Sequence, residues 1–262
     1  MKTSLRPLAL ASLLLLFASS CAIPTVDVIP RYGQFDLDGH FGIVDPDIAP
    51  GAPNVNDLAT AGFGDDDGYF GGRVDLDIGS PMFTFSTQQT THDGSGQITA
   101  EISSGGTIVA PGPVESKMDL GLHQFLMTFD FVPTDWVDAG LGLGVAVADV
   151  DARVSQGANS VDTDQTLPIP QIAGHVGVQL GDFEAVGLIS GFELSSSGDE
   201  ISFFDLDLLA RYRLFGGDER LAGSIGLGWR TTSLGLDYED DGDEIDVSMR
   251  FNGPYAAFVF SF

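Results

Sequence analysis

The stretch Tyr255-Ala256-Ala257-Phe258-Val259-Phe260-Ser261-Phe262 decides the fold. Successive side chains of a β-strand point to opposite faces, so Phe258, Phe260 and Phe262 share one face of an extended segment. A helix would scatter them around its circumference. Working back along the chain, the same period of two recurs. In 136–153, Val137, Ala139, Leu141, Leu143, Val145 and Val147 alternate with Asp138, Gly140, Gly142, Gly144, Ala146 and Ala148. In 201–215, Phe204, Leu206, Leu208, Ala210, Tyr212 and Leu214 alternate with Asp205, Asp207, Arg211 and Arg213. No helical stripe of useful length competes with these patterns.

Eight such segments are predicted: 69 to beyond 78, then 117–131, 136–153, 167–180, 183–194, 201–215, 220–238 and 245–262. The links at 132–135, 181–182 and 216–219 are tight. Those after the first, third and seventh segments are expected to be longer, polar and acidic, with a moderate Ser-rich turn after the fifth. Barrels that cross membranes combine short turns at one end, longer loops at the other and an even strand number. The predicted fold is therefore all-β, an eight-stranded antiparallel up-and-down transmembrane β-barrel over 68–262. Residues 21–67 carry Pro24, Pro30, Pro46, Pro50 and Pro53 among Asp and Gly and read as a loosely ordered arm or linker.

The 262 residues include 34 Gly, one Cys, 38 acidic and 11 basic side chains, a formal charge of −27. One cysteine excludes a disulfide scaffold, and so acidic a chain is a poor partner for nucleic acid. A hydrophobic content of 43% is too high for a disordered acidic tail. Of the eight basic residues after position 67, seven (Arg73, Lys117, Arg153, Arg211, Arg213, Arg230 and Arg250) fall within predicted strands, and Arg220 stands at a strand start. An Arg facing lipid at mid-membrane costs about 2–4 kcal/mol. These residues are thus expected inside, in an ion-pair network of Arg73, Asp75, Asp77, Lys117, Asp119, Asp205, Asp207, Arg211, Arg213, Arg230 and Arg250. Alternation slips near His123-Gln124, Ser233 and Gly253-Pro254, which reads as three bulges.

Residues 1–20 read as an export signal, with Lys2 and Arg6 before the apolar run 8–17, which is too short to span a bilayer. Ala18-Ser19-Ser20-Cys21 resembles the bacterial lipoprotein box, although Ala18 stands where Leu is usual. That resemblance implies a lipid on Cys21; ordinary cleavage after Ala22 is the alternative. Tyr255, Phe258, Phe260 and the final Phe262 resemble the terminal-aromatic signal of bacterial outer-membrane barrels. With the Gly-Tyr-Phe-Gly-Gly stretch at 68–72 and the paired interior charges, 69–262 is similar to small eight-stranded outer-membrane proteins, the group of the outer-membrane protein A, X and W barrels. The resemblance implies an outer-membrane location, with membrane lipid and the barrel-assembly machinery as partners.

The chemistry-bearing residues are sparse. His40, His92, His123 and His175 are scattered without a zinc-ligand spacing, and His123 and His175 are expected in the interior, hydrogen-bonded and inert. There is no Gly-x-Ser-x-Gly, and no histidine is followed two residues later by serine, so no enzyme and no cofactor are predicted. Asp237, Glu239, Asp241 and Asp243 form a weak calcium candidate that does not fit the twelve-residue calcium loop; a solvated acidic loop is the simpler reading. The expected role is structural or surface-interacting, with at most limited solute passage. The alternatives are a soluble lipocalin-like lipoprotein binding an apolar ligand, and a barrel enzyme acting on outer-membrane lipid.

Overall fold

The computed structural model describes residues 24–45, 55–63, 67–104, 106–132, 134, 136–196, 199–216, 221–240 and 243–262. Residues 1–20 and Cys21 lie outside them. Ten long strands follow one another: β1 Thr25–Val44, β2 Asp67–Asp77, β3 Met82–Ile98, β4 Gly112–Asp130, β5 Val137–Gln156, β6 Asn159–Leu180, β7 Phe183–Ser196, β8 Asp199–Phe215, β9 Ala222–Asp240 and β10 Asp243–Ser261. Each pairs antiparallel with the next, and β10 pairs back with β1 from Asp27↔Ser261 to Val44↔Glu244, which closes the ring. Closure pairs the outermost strands with each other, while in the distal half the ladders β1–β2, β2–β3 and β6–β7 stop at Phe35↔Asp67, Phe70↔Gln89 and Gly191↔Ile172. The start of β1 and the end of β10 lie at the same end of the ring.

The count is ten where eight strands were expected, for two reasons. Residues 25–44, read as part of an arm, form β1. The predicted first strand also breaks into β2 and β3 at a turn where Gly79 takes φ +95° and donates its N–H to Asp77 Oδ1 at 2.6 Å. Only glycine adopts such a φ without steric cost. The links expected to be long after the third and seventh predicted segments are short, because the strands run further: β5 reaches β6 across Gly157 and Ala158, and β9 continues to Asp240. The acidic stretch is thus the end of a hairpin, with Asp237↔Asp246 and Glu239↔Glu244 in register.

None of the three expected bulges is present. Register runs unbroken through His123, Ser233 and Pro254, and the shift among the described ladders lies between Arg213 and Phe215. What changes at those points is polarity. On β4 the inward positions pass from Val114, Met118, Leu120 and Leu122 to Gln124 and Thr128, all buried. The outward positions pass from Glu115, Lys117 and Asp119 to Phe125 and Phe129.

The ring therefore has two halves. Nearest the termini, exposed apolar side chains cover the outer wall over about nine residues of a strand, for example Leu221, Ile225, Leu227 and Trp229, or Phe258, Phe260 and Phe262. In the distal half the outer wall is polar and acidic, and the interior holds a mostly apolar core of Phe35, Leu37, Phe41, Met118, Val154, Phe203, Leu234 and Phe251. Segment 55–63 completes the distal half between β1 and β3. Asn56 and Asp57 pair with Phe41 and His40, and Leu58, Ala61 and Phe63 are buried in the core. The segment lies across inward-facing Gly96, where a Cβ would come within 2.3 Å of the Ala61 backbone. Inward-facing Ser116 donates to Ala61 O at 2.7 Å.

Candidate functional site

Three levels stack inside the ring. Midway, Asp207 receives Arg31 Nη1 at 2.7 Å, Arg73 Nη1 at 3.3 Å and the Tyr255 hydroxyl. Beside it, Asp205 accepts from Arg230 Nε at 2.8 Å, the Thr232 hydroxyl at 2.6 Å and Gln124 Nε2 at 3.3 Å. Gln124 Oε1 in turn accepts from Arg230 Nη2 at 2.7 Å and Ser86 Oγ at 3.0 Å. Arg73 also reaches Asp75 at 2.8 Å, so three guanidinium groups face three carboxylates. Burying so many charges is tolerable because each faces an opposite one; Arg73 and Arg230 add hydrogen bonds, whereas Arg31 is held by its ion pair with Asp207 without hydrogen-bond geometry. The Arg31 guanidinium also lies 4.8 Å from the Tyr255 ring centroid.

Toward the termini the interior opens into a polar cavity of about 380 Å³ lined by Asp27, Arg73, Asp75, Asp77, Asp138, His175, Glu184, Arg211 and Arg213 among others. Arg211 bridges Asp27 and Glu184, and Arg213 stands 4.0 Å from Asp182 at the rim. His175 faces Asp130 and Asp138 here, and among the described residues these three form the group with metal-ligand character. Toward the distal end the core leaves an apolar void of about 60 Å³ lined by Phe41, Leu58, Phe63, Met118, Val154 and Met249 among others.

Arg73, Asp75, Asp205, Asp207, Arg211 and Arg230 thus occupy the interior, as their alternation suggested. Asp77 sits exposed at the terminal turn. Lys117, with its side chain 58% exposed, pairs with Asp119 at 2.6 Å on the outer wall, and Arg250 also projects outward, opposite Asp38 in the ladder. They lie in the distal half, where the outer wall is polar and acidic and an outward charge has polar neighbours. His123 faces outward as well, against Thr87 at 2.9 Å and Asp149 at 3.8 Å. Asp119 is held below the usual carboxylate range by the Lys117 ammonium and the Thr91 hydroxyl. Tyr255 shares the terminal strand with Phe258, Phe260 and Phe262 but faces inward. Of the calcium candidate, Asp241 lies outside the described residues, and Asp237 is exposed at the hairpin end.

Sequence reasoning missed Arg31, Asp27, Glu184, Asp130 and Asp138. The first two belong to β1, and the carboxylates at 130, 138 and 184 sit beside turns where acidic residues are unremarkable. It also counted no Asp-x-His pair, although Asp38-Gly39-His40 has that spacing; there His40 faces Asp246 at 3.4 Å on the outward wall.

The sequence matches no protein-family model and no curated protein. Among solved structures, the fold is similar to the outer membrane protease OmpT from Escherichia coli, with a TM-score of 0.58 at 12% identity over 91% of this chain and 97% of that one. Outer membrane protein AlkL, solved in lipid bilayers, gives 0.40 at 12% identity over 100% and 98%. Neisserial surface protein A gives 0.30 at 10% over 89% and 95%. At 12% identity the likeness to OmpT speaks for the fold.

Proposed function

We propose that this chain is an outer-membrane β-barrel whose terminal half spans the bilayer and whose distal half stands outside as a solid acidic collar with a structural or surface-interaction role. The observation that carries the reading is the reversal of polarity along unbroken strands. A soluble lipocalin-like barrel would keep apolar side chains inside and polar ones outside at every level. Here the terminal half does the opposite over about nine residues per strand, the length a tilted transmembrane strand requires. Export through residues 1–20, a lipid on Cys21 and recognition of the terminal aromatics by the assembly machinery belong to the same proposal.

The paired charges and the distal core occupy the middle and distal levels of the interior, which favours a surface role over passage of solutes. Proteolysis, the activity in OmpT's name, forms no part of this reading. The test is membrane fractionation with heat-dependent migration on a denaturing gel, followed by swelling of vesicles containing the purified protein. The proposal expects resistance to alkaline carbonate, a heat-shifted band and no swelling in sugars. Release by carbonate without detergent would overturn it.

A further inference from the structure

We propose that Asp130, Asp138 and His175 bind a single divalent transition-metal ion at the terminal mouth of the ring. The ladder builds the group. Asp130 is opposite Gly140, Gly140 is opposite His175, and Asp138 is opposite Gly177, so residues from β4, β5 and β6 converge on one interior spot. Gly140 makes the room: a Cβ there would come within 2.3 Å of His175 Cε1. The Thr128 hydroxyl holds His175 Nδ1 at 2.7 Å and fixes the ring, as outer partners of metal-binding imidazoles do.

That contact leaves Nε2 aimed between the carboxylates, 3.3 Å from Asp130 Oδ1 and 3.2 Å from Asp138 Oδ2. Neither approach has hydrogen-bond geometry, so Nε2 and Asp130 Oδ1 are both buried with no hydrogen-bond partner. The His175 side chain is only 2% exposed. An orphaned buried nitrogen and oxygen this close call for something between them. Donors held about 2.0–2.2 Å from one ion stand roughly 3.0–3.4 Å apart at octahedral or tetrahedral angles; both imidazole–carboxylate spacings fall in that range, and all three donor atoms lie within 4.8 Å of one another.

The donor set selects the ion. Calcium and magnesium prefer all-oxygen sites, whereas one imidazole with two carboxylates suits zinc, manganese or iron. The cavity supplies an entry path and room for water at a further position, and Asp138 lines it. The neighbouring carboxylates Asp27, Asp75 and Glu184 are already matched by Arg211 and Arg73. The site stands on local geometry and does not depend on where the ring sits in a membrane.

The test uses the full chain, purified in detergent and stripped with a chelator. Zinc is titrated by calorimetry and cobalt(II) by visible absorption. The proposal expects one zinc ion per chain, cobalt bands typical of nitrogen and oxygen ligands, and at least tenfold weaker binding in both Asp138→Asn and His175→Ala. Asp138 is half exposed, so its variant keeps the fold even if His175→Ala does not. An Asp237→Asn change at the acidic hairpin should leave the affinity unaltered. No zinc binding by the parent, or equal affinity in Asp138→Asn, would overturn the proposal.

Discussion

On β4, Phe125 and Phe129 face outward while Gln124 and Thr128 face the interior; a few residues earlier the same strand turns Glu115, Lys117 and Asp119 out and Val114, Met118 and Leu120 in. Backbone geometry and register are the same in both halves. The difference lies in the polarity of the outer wall and in what the interior holds behind it. The terminal half offers apolar area outward and seals charges inside against one another. The distal half follows the rule of a water-soluble barrel, with a dry core and a charged surface.

The largest effect should come from the charged layer between the halves. Arg230→Leu leaves Asp205 buried beside Gln124 with its cation gone, and unfolding in denaturant should register a loss of about 3–5 kcal/mol. In the distal core, Leu234→Ala should cost about 2–5 kcal/mol, according to how far the site collapses. On the outer wall the two halves should respond oppositely to one substitution. Ile225→Arg in the terminal half should cost about 2–4 kcal/mol in lipid, whereas Asp237→Arg, twelve residues along the same face and opposite Asp246, should stay within about 0.5 kcal/mol. Equal costs would erase the distinction between the halves.

The smallest effect concerns pH. Asp57 accepts the Thr60 N–H at 2.7 Å, and this hydrogen bond from the start of the 59–63 turn holds its carboxyl below the ordinary value. A depressed folded-state pKa stabilises above the unfolded value and is lost as pH falls through the folded one. Amide exchange at Thr60, corrected for its intrinsic rate, should thus accelerate below about pH 4. The ring amides should stay protected there.

Where one face of a strand was uniformly apolar, the sequence was legible. Phe258, Phe260 and Phe262, Leu141 and Leu143, and Phe204 and Leu208 all face outward as their spacing implied. β1 was not legible, because its inward face runs Ile29, Arg31, Gly33, Phe35, Leu37 and changes polarity midway. The same change mimicked bulges at His123, Ser233 and Pro254. For Lys117 and Arg250 the strand was readable but not the surroundings of its outward face. The interior pairings were less accessible still. Arg211 takes Asp27 across the closure of the ring, and Asp130, Asp138 and His175 meet only through register, with no local motif to announce them.

The central claim, that the apolar wall of the terminal half lies in lipid, can be tested through one tryptophan. Trp229 is exposed on that wall, whereas Trp136 stands at the terminal turn and lines the mouth of the polar cavity. In vesicles of a Trp136→Phe variant, which leaves Trp229 as the one reporter, lipids brominated on their acyl chains should quench most of the fluorescence, and aqueous acrylamide should quench little of it. Strong acrylamide quenching with no effect of the brominated lipid would contradict the account.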